Sequence, residues 1–540
     1  MSTKHRGMEQ LAARWAHNPK VASSSLAPAT KDSIVTAIKV VAIFYCIKIG
    51  YNNYLTIQIY INWRKNLKDI FTFKNKSSII YMKKYIIFNV RRKNMLLNFK
   101  IKNYKSFYNE TNVSMFADSA KRDFNNRLIN VSDKKTVKKN ALPAMVIYGP
   151  NASGKTSIIS AINMLKQIVI SGTIKKQIKN KDIIELDISS FIHDNKKNKE
   201  PIHLEITFKT SENIYNYILN ITATYLEPQR KIVNEELNII EYKMFGTSVK
   251  ENKINIYKRT ENTVKLNKDI KAINLLGKEE KISNEFDSFE KTFSENLDKE
   301  DLFLTTGFKS MISLKMANDI LDWFQEKLIT IVDFNMKEPL INIEENEDNK
   351  KAVFRNEQLD RLIKIADFGP QQIGYIKDNN TGKYILSSMY MPKGAKEGII
   401  VNSKSIESKG TIKLIDFWIG FLEFFKKGGV FVLDEFDCSI HPELVSGIID
   451  LFNNKEINKS NAQLIFNTHN PLYLQKKLFR RDQIMFVEKD EETYISSVYK
   501  LSDIDIRNDA SYMKNYFEGK FGALPFIDFE EALYDEKGAD

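Results

Sequence analysis

The sequence predicts an α/β protein built on a parallel sheet, and three stretches predict it. Each is a short apolar run, the pattern left by a strand covered on both faces, and each ends in a chemically active group. Ala144-Met-Val-Ile-Tyr148 runs into the Gly-rich Gly149-Pro-Asn-Ala-Ser-Gly-Lys-Thr156. Gly428-Gly-Val-Phe-Val-Leu433 runs into Asp434 and Glu435, and Leu464-Ile-Phe-Asn-Thr468 runs into His469-Asn-Pro471. In open α/β sheets ligands bind at the carboxyl ends of the strands.

The first stretch carries the most specific chemistry. Ser157–Leu165 after it is apolar at helical spacing, so strand, Gly-rich turn and helix follow in the order a phosphate-binding P-loop requires. Gly149 and Gly154 let the backbone curl so that successive N–H groups face the phosphates, with Pro150, Asn151, Ala152, Ser153 and Ser157 completing the loop. Lys155 is expected to reach the β- and γ-phosphates and Thr156 to place a hydroxyl on Mg²⁺, while the helix N-terminus adds partial positive charge. The expected ligands are therefore a nucleoside triphosphate and Mg²⁺, in a P-loop NTPase.

The chain's 540 residues have room for several domains and a large core, and the 43% apolar content is that of a folded soluble protein. Cys46 and Cys438 lie far apart without metal-ligand spacing, which points to a reducing, cytoplasmic setting and no disulfide framework. The net charge of +13 suggests nucleic acid until it is located. Residues 1–94 hold 17 Lys/Arg against 3 Asp/Glu, and residues 95–540 hold 64 against 65. The remainder thus offers no global argument for nucleic acid, although a local basic groove leaves room for DNA.

Taken in order, 1–94 does not read like a domain. Ala12–Thr30 lacks helical or strand periodicity and resembles a translated transfer-RNA gene, and a Lys/Ile/Tyr/Asn-rich stretch follows it. Ile34–Ile49 is interrupted by Lys39 and Lys48, too short and too charged to span a membrane. The expectation is a non-native extension from a misplaced start, with the protein beginning near Met95; the rival reading is a basic arm for a membrane surface or nucleic acid. Leu96–Phe107 alternates as a strand, and Ile202–Lys209 and Tyr215–Tyr225 read as a hairpin, giving an N-terminal lobe over 95–225. Residues 226–370 are expected to be a mostly helical insertion. Within it, Ile312–Phe334 is a helix with Leu314, Met316, Ile320, Leu321 and Phe324 on its apolar side, and Ala352–Ile365 is a second. Strands at Ile373–Lys377 and Tyr384–Tyr390 open a C-terminal lobe over 371–540.

That lobe holds the remaining site candidates. Asp434 would hold Mg²⁺ through its water shell, and Glu435 would act as general base on the attacking water. His469 fits a hydrogen-bond donor to the γ-phosphate. Ser408-Lys-Gly410-Thr411 opens a helix over Ile412–Phe425 as an anion-binding turn, and His441-Pro442 opens another, with His441 at a helix entry or a dimer contact. His193 and His203 read as structural, and the acidic stretches Asp482–Asp490 and Asp503–Asp509 as solvated turns.

The order Lys102-Asn-Tyr-Lys-Ser-Phe107, P-loop, Ser408-x-Gly-Thr411, Asp434-Glu-Phe-Asp-x-Ser-Ile-His-Pro442 and Thr468-His-Asn470 resembles ABC-type ATPases of the RecF/SMC/OLD branch. It is most similar to the AAA family ATPases of abortive-infection and phage-defence loci, and the ending Phe517-Glu-Gly-Lys-Phe-Gly-Ala-Leu-Pro525 fits that resemblance. The resemblance spans 95–540 and implies an ABC-type ATPase head with a helical and β insertion. It also implies ATP sandwiched between two protomers of a homodimer or higher oligomer, with Ser408 and Gly410 completing the partner's site. A full Leu-Ser-Gly-Gly-Gln signature is missing, as is a clear Gln for sensing Mg²⁺. OLD-type relatives carry a Toprim nuclease, but only 71 residues follow His469, which implies a separate effector protein, a nuclease or toxin. The expected function is the sensor or regulator ATPase of an anti-phage system; the alternatives are a RecF/SMC-like DNA repair ATPase and a direct toxin. A transporter subunit fits least.

Overall fold

The computed structural model describes residues 94–525, apart from short internal segments of which the longest is 333–352. The expectation for 1–94 falls, but for Asn94, outside the described residues. No helix among the described residues is long and apolar enough to cross a membrane.

The three apolar runs lie in one six-stranded sheet. Its order is Leu328–Ile331, Val430–Leu433, Gln463–Asn467, Ala144–Tyr148, Ile484–Lys489 and Ser496–Lys500. The first five strands are parallel and the last is antiparallel. The strand leading to His469 therefore sits between the P-loop strand and the acidic strand. All residues of these three strands are buried. Both faces of the sheet are covered: Met145 and Ile147 join one core with Ile158, Ile162 and Leu165 of the P-loop helix, Lys155–Ser171. Ala144, Val146 and Tyr148 join another with Phe417, Phe421, Val445 and Phe452. That two-sided burial is why the strands read as continuous apolar runs instead of alternation.

The outer side of the P-loop helix meets a seven-stranded antiparallel sheet. Its order is Val264–Leu266, Ser248–Thr260, Lys231–Phe245, Ile214–Thr222, Ile202–Lys209, Met95–Lys102 and Thr111–Ser114. The expected hairpin is present, with Ile202 opposite Ile221 and Lys209 opposite Ile214.

The expected division of the chain needs correction. The segment 226–370 is not a mostly helical insertion: it begins with the long hairpin Lys231–Phe245 and Ser248–Thr260, which extends the sheet formed by 95–222. Its helical part is Ile270–Leu275, Ser283–Glu295, the π-helix Leu304–Ile312, Leu314–Glu326 and Glu357–Ile365. The single helix expected over Ile312–Phe334 ends at Glu326, and Leu328–Ile331 is a strand of the central sheet beside Val430–Leu433. In that helix Met316, Ile320 and Phe324 are buried and Leu321 packs against the core, but Leu314, in its first turn, is 60% exposed. The helix expected from Ala352 starts at Glu357, after a strand Val353–Arg355. That strand opens a four-stranded sheet with Gln372–Lys377, Tyr384–Tyr390 and Ile399–Asn402.

Candidate nucleotide site

The loop between the P-loop strand and its helix is shaped by close backbone approach. A side chain at Gly149 would put Cβ 2.4 Å from the Val487 carbonyl of the neighbouring strand. Gly154 has φ 111° and caps the helix, a conformation that suits glycine, while Ala152 takes φ 59°. Asn151, Ala152, Gly154, Lys155, Thr156 and Ser157 line a cleft of about 410 Å³. Ser153 is buried beneath it. The Lys155 ammonium donates to the carbonyls of Gly149 and Pro150, each at 2.8 Å. Burial pushes its pKa down to about 8, against the pull of Glu435 and Asp434. Gly149 and Pro150 thus act through their carbonyls, which hold the lysine over the loop.

The adjacent strand ends bring the acidic groups to this loop. Thr156 Oγ1 donates to Asp434 Oδ1 at 3.0 Å, and Asn467 Nδ2 donates to the same oxygen. Burial raises the Asp434 pKa, and these two hydrogen bonds oppose the shift. Asn467 also accepts the Glu435 N–H at 2.7 Å, so one buried amide fixes both carboxylate residues. Glu435 has φ 42°, rare for a residue with a side chain. Lys413 supports that turn by donating to the Glu435 carbonyl at 3.2 Å and the Cys438 carbonyl at 2.9 Å. His469 Nε2 lies 3.6 Å from Glu435 Oε1, and both residues line the cleft. Burial, then the Lys155 charge, lowers the His469 pKa and favours neutral imidazole. Thr468 Oγ1 donates to Asp437 Oδ2 at 2.6 Å, tying the two strand ends together.

Sequence reasoning missed Asn467 and Lys413. Asn467 had a readable signal, a lone amide inside an apolar strand, since a buried amide needs partners. Lys413 had none: its partners come from a turn more than a helical turn away in sequence.

Ser408 and Gly410 do not line this cleft. Ser408 caps the helix Lys409–Lys426 by accepting the Thr411 N–H at 3.1 Å. A Cβ on Gly410 would lie 1.9 Å from the Ser439 carbonyl, so glycine lets this helix start close against the turn after Glu435. His441 caps Pro442–Asn453, its Nδ1 accepting the Glu443 N–H at 3.3 Å.

One expectation fails, that for Asp482, and His193 is less isolated than expected. His193 lines the cleft, together with Lys105, Ser106, Ser189, Ser190, Ile192 and Lys489. Asp482 is not a solvated turn residue: it is 1% exposed and accepts from Arg480 Nε at 2.8 Å and Nη2 at 2.9 Å. His203 does serve the sheet, its Nδ1 lying 2.7 Å from Asn220 Oδ1.

The cleft therefore joins backbone N–H groups at a helix start, a lysine, a hydroxyl–carboxylate pair, and a second carboxylate beside neutral histidine. Thr156 and Asp434 can hold Mg²⁺, which binds through one or two protein ligands together with phosphate oxygens and water. No group of three metal-ligating side chains gathers among the described residues.

A family model described as "AAA domain, putative AbiEii toxin, Type IV TA system" matches residues 144–304 and 340–474. Among solved structures, an SMC head domain from Thermotoga maritima aligns at 14% identity and TM-score 0.31, covering 76% of this chain and 99% of that one. An Smc head domain with an extended coiled coil, bound to the C-terminal domain of ScpA and derived from Pyrococcus furiosus, aligns at 12% identity and TM-score 0.29. It covers 75% of this chain and 96% of that one. Among curated proteins none matches. The family model covers more than half of the chain, and the chain belongs to that AAA family, as a P-loop ATPase.

Proposed function

We propose that this protein hydrolyses ATP with Mg²⁺ at the interface of a homodimer or higher oligomer, and that it is the regulatory ATPase of an abortive-infection system acting through a separate effector protein. The observation that carries the catalytic part is the hydrogen bond from Thr156 to Asp434, with Glu435 and His469 on the same edge. The family description, which names a putative AbiEii toxin and a Type IV TA system, supports the abortive-infection context.

In this reading Lys155 leaves the Gly149 and Pro150 carbonyls for the β- and γ-phosphate oxygens, which the Gly149–Ser157 loop surrounds with N–H groups. Thr156 and Asp434 would hold Mg²⁺, which would supply charge neutralisation for the phosphates. Glu435 accepts the proton of the attacking water. Neutral His469 donates a hydrogen bond to the γ-phosphate, its other nitrogen remaining available as acceptor. The turn Ser408–Gly410 does not line its own cleft, and in this reading it meets the γ-phosphate held by the partner protomer. Because Gly410 packs on Ser439 and Lys413 holds the Glu435 carbonyl, closure on the partner's nucleotide reaches this protomer's own base.

The test is ATP turnover and ATP-dependent mass of the full chain, with and without Glu435→Gln, in the presence and absence of DNA. The expected result is ATP-driven assembly that is indifferent to DNA and accumulates in Glu435→Gln. Wild-type turnover in Glu435→Gln would sink the base assignment. Turnover stimulated several-fold by DNA and lost as salt rises would favour a repair-type clamp instead.

A further inference from the structure

Upstream of Ser408 the chain runs through the strand Ile399–Asn402 and the short helix Ser403–Ile406. The strand is an edge of the four-stranded sheet, and among the described residues no strand pairs with its open side. An open edge leaves backbone N–H and C=O groups without a ladder partner, and proteins ordinarily blunt such edges with charge, proline or bulges. This edge is apolar instead. Ile399 is 54% exposed, Ile400 55% and, in the helix that follows, Ile406 53%.

The register sorts these side chains. Tyr390 lies opposite Ile399, Met389 opposite Ile400, and Ser388 opposite Val401. Residues directly opposite in an antiparallel pair share a face, and neighbours along a strand alternate. Ile399 therefore stands on the face of Tyr390 and Ser388, and Ile400 on the other. The Ile399 face is the one fastened to the Ser408 turn. The Ser388 and Ser403 hydroxyls share a buried hydrogen bond of 2.8 Å, and the Tyr390 hydroxyl donates to Glu407 Oε1 at 2.7 Å. The Glu407 N–H donates to the Ser403 carbonyl at 2.8 Å. On the same face Tyr375 donates to Asp416 Oδ1 at 2.9 Å, in the helix that Ser408 caps. Strand, short helix and turn are thus tied together, with Ile406 two residues before Ser408.

In the reading above, the Ser408 turn meets a nucleotide held by the partner protomer, so the surface adjoining that turn adjoins the partner. A stable protein interface buries about 800 Å² on each side, through about 20–30 residues with an apolar centre. A single turn on a nucleotide supplies a small part of that. We propose that Ile399 and Ile406 extend the turn into an apolar interface with a second copy of this chain, formed when ATP closes the sandwich. Ile400, on the opposite face, takes no part. The inference rests on the ATPase reading above and names the protein surface that completes its dimer.

The test is the protein concentration at which ATP drives assembly, read by light scattering on the full chain carrying Glu435→Gln. Ile399→Lys, Ile406→Lys, Ile406→Ser and Ile400→Lys are compared in that background. All three positions are exposed, so the protomer stays folded, and its affinity for ADP, measured by calorimetry, checks this. The expected result is that Ile399→Lys and Ile406→Lys each raise the concentration for half-assembly about tenfold or more, the size of a lost interface hot spot. Ile406→Ser should raise it several-fold, and Ile400→Lys should leave it unchanged, with ADP affinity the same in all four. Assembly unaffected by both Ile399→Lys and Ile406→Lys would overturn the inference, leave the sandwich intact and assign the surface to a different protein. Assembly weakened as much by Ile400→Lys as by Ile399→Lys would also overturn it, because the two faces would then be equivalent. Absence of ATP-driven assembly in Glu435→Gln alone would instead overturn the sandwich reading, and this inference with it.

Discussion

Two regions of the molecule keep charged groups out of water, in opposite ways. In the hairpin region, Glu235 and Arg259 are both 0% exposed, with 3.7 Å between Glu235 Oε2 and Arg259 Nη1. Glu235 accepts the backbone N–H groups of Phe303 at 2.7 Å and Leu304 at 2.9 Å, and the hydroxyls of Tyr217 at 3.0 Å and Tyr257 at 2.8 Å. It thereby fixes the start of the π-helix Leu304–Ile312. The Leu302 N–H just before it donates to the Gly172 carbonyl, at the end of the P-loop helix, at 2.8 Å. At the nucleotide edge, Lys155 is held by carbonyls of its own loop and Asp434 by Thr156, partners that a ligand and a metal ion can replace. The difference teaches how to tell the two kinds of buried charge apart. The structural charge is enclosed by fixed donors from distant elements, whereas Lys155 rests on carbonyls of its own loop at a cleft that a ligand can enter.

The sharpest way to break this comparison is Glu235→Gln. Replacing the carboxylate turns an acceptor-only group into one with a donor amide and leaves Arg259 without its counter-charge; losing one partner of a buried pair costs about 3–5 kcal/mol. The expected result is a large drop in the denaturant midpoint, with ATP affinity of the folded fraction unchanged. A stable Glu235→Gln protein with weakened ATP binding would erase the distinction. Lys155→Ala should do the reverse: ATP binding falls at least about a hundredfold, which corresponds to about 3 kcal/mol, while the melting temperature stays level or rises because a desolvated charge has been removed. A fall in stability would show that Lys155 is structural after all.

Asn467→Ala sharpens the comparison from within the site, because Asn467 is buried like Glu235 but serves Asp434 and Glu435. Turnover should fall about tenfold or more, as removal of a group that orients a catalytic base does, with ATP affinity less affected. Equal losses in both would mean that Asn467 only supports the fold. The smallest effect is a pH dependence. In the free protein the Lys155 pKa is lowered to about 8 from 10.5, and triphosphate binds the ammonium form. ATP affinity should therefore stay level below pH 8 and decline above it, by up to about tenfold per unit. The unfolded chain keeps that proton to higher pH than the folded one, so this group makes the unliganded protein more stable as pH rises from 8 towards 10.5. ATP affinity rising above pH 8 would contradict this assignment.

The legible parts of the chain were those whose signal is contiguous. Ala144–Tyr148, Ile202–Lys209 and Tyr384–Tyr390 are strands with the bounds their apolar patterns suggest. The hairpin Lys231–Phe245 with Ser248–Thr260 was not legible, because the second strand opens with mostly exposed polar residues and the first ends in exposed Lys243, Met244 and Phe245, which breaks the alternation. Leu328–Ile331 was hidden because its apolar residues follow a helix without a break, and only the neighbouring Val430–Leu433 makes it a strand. His193 looked isolated because its stacking partner Tyr494 and the P-loop are distant in sequence.

By itself, then, the sequence determined the fold class, the P-loop and the chemical character of the strand ends, since each depends on residues adjacent in the chain: a Gly-rich turn curls, and an apolar run buries itself. Only the tertiary structure decided which strand lies beside which, that Asn467 serves both carboxylates, and that 187–193 walls the far end of the cleft. Those outcomes depend on hydrogen bonds and packing between segments tens to hundreds of residues apart, and no local pattern encodes a partner that the chain must fold to meet.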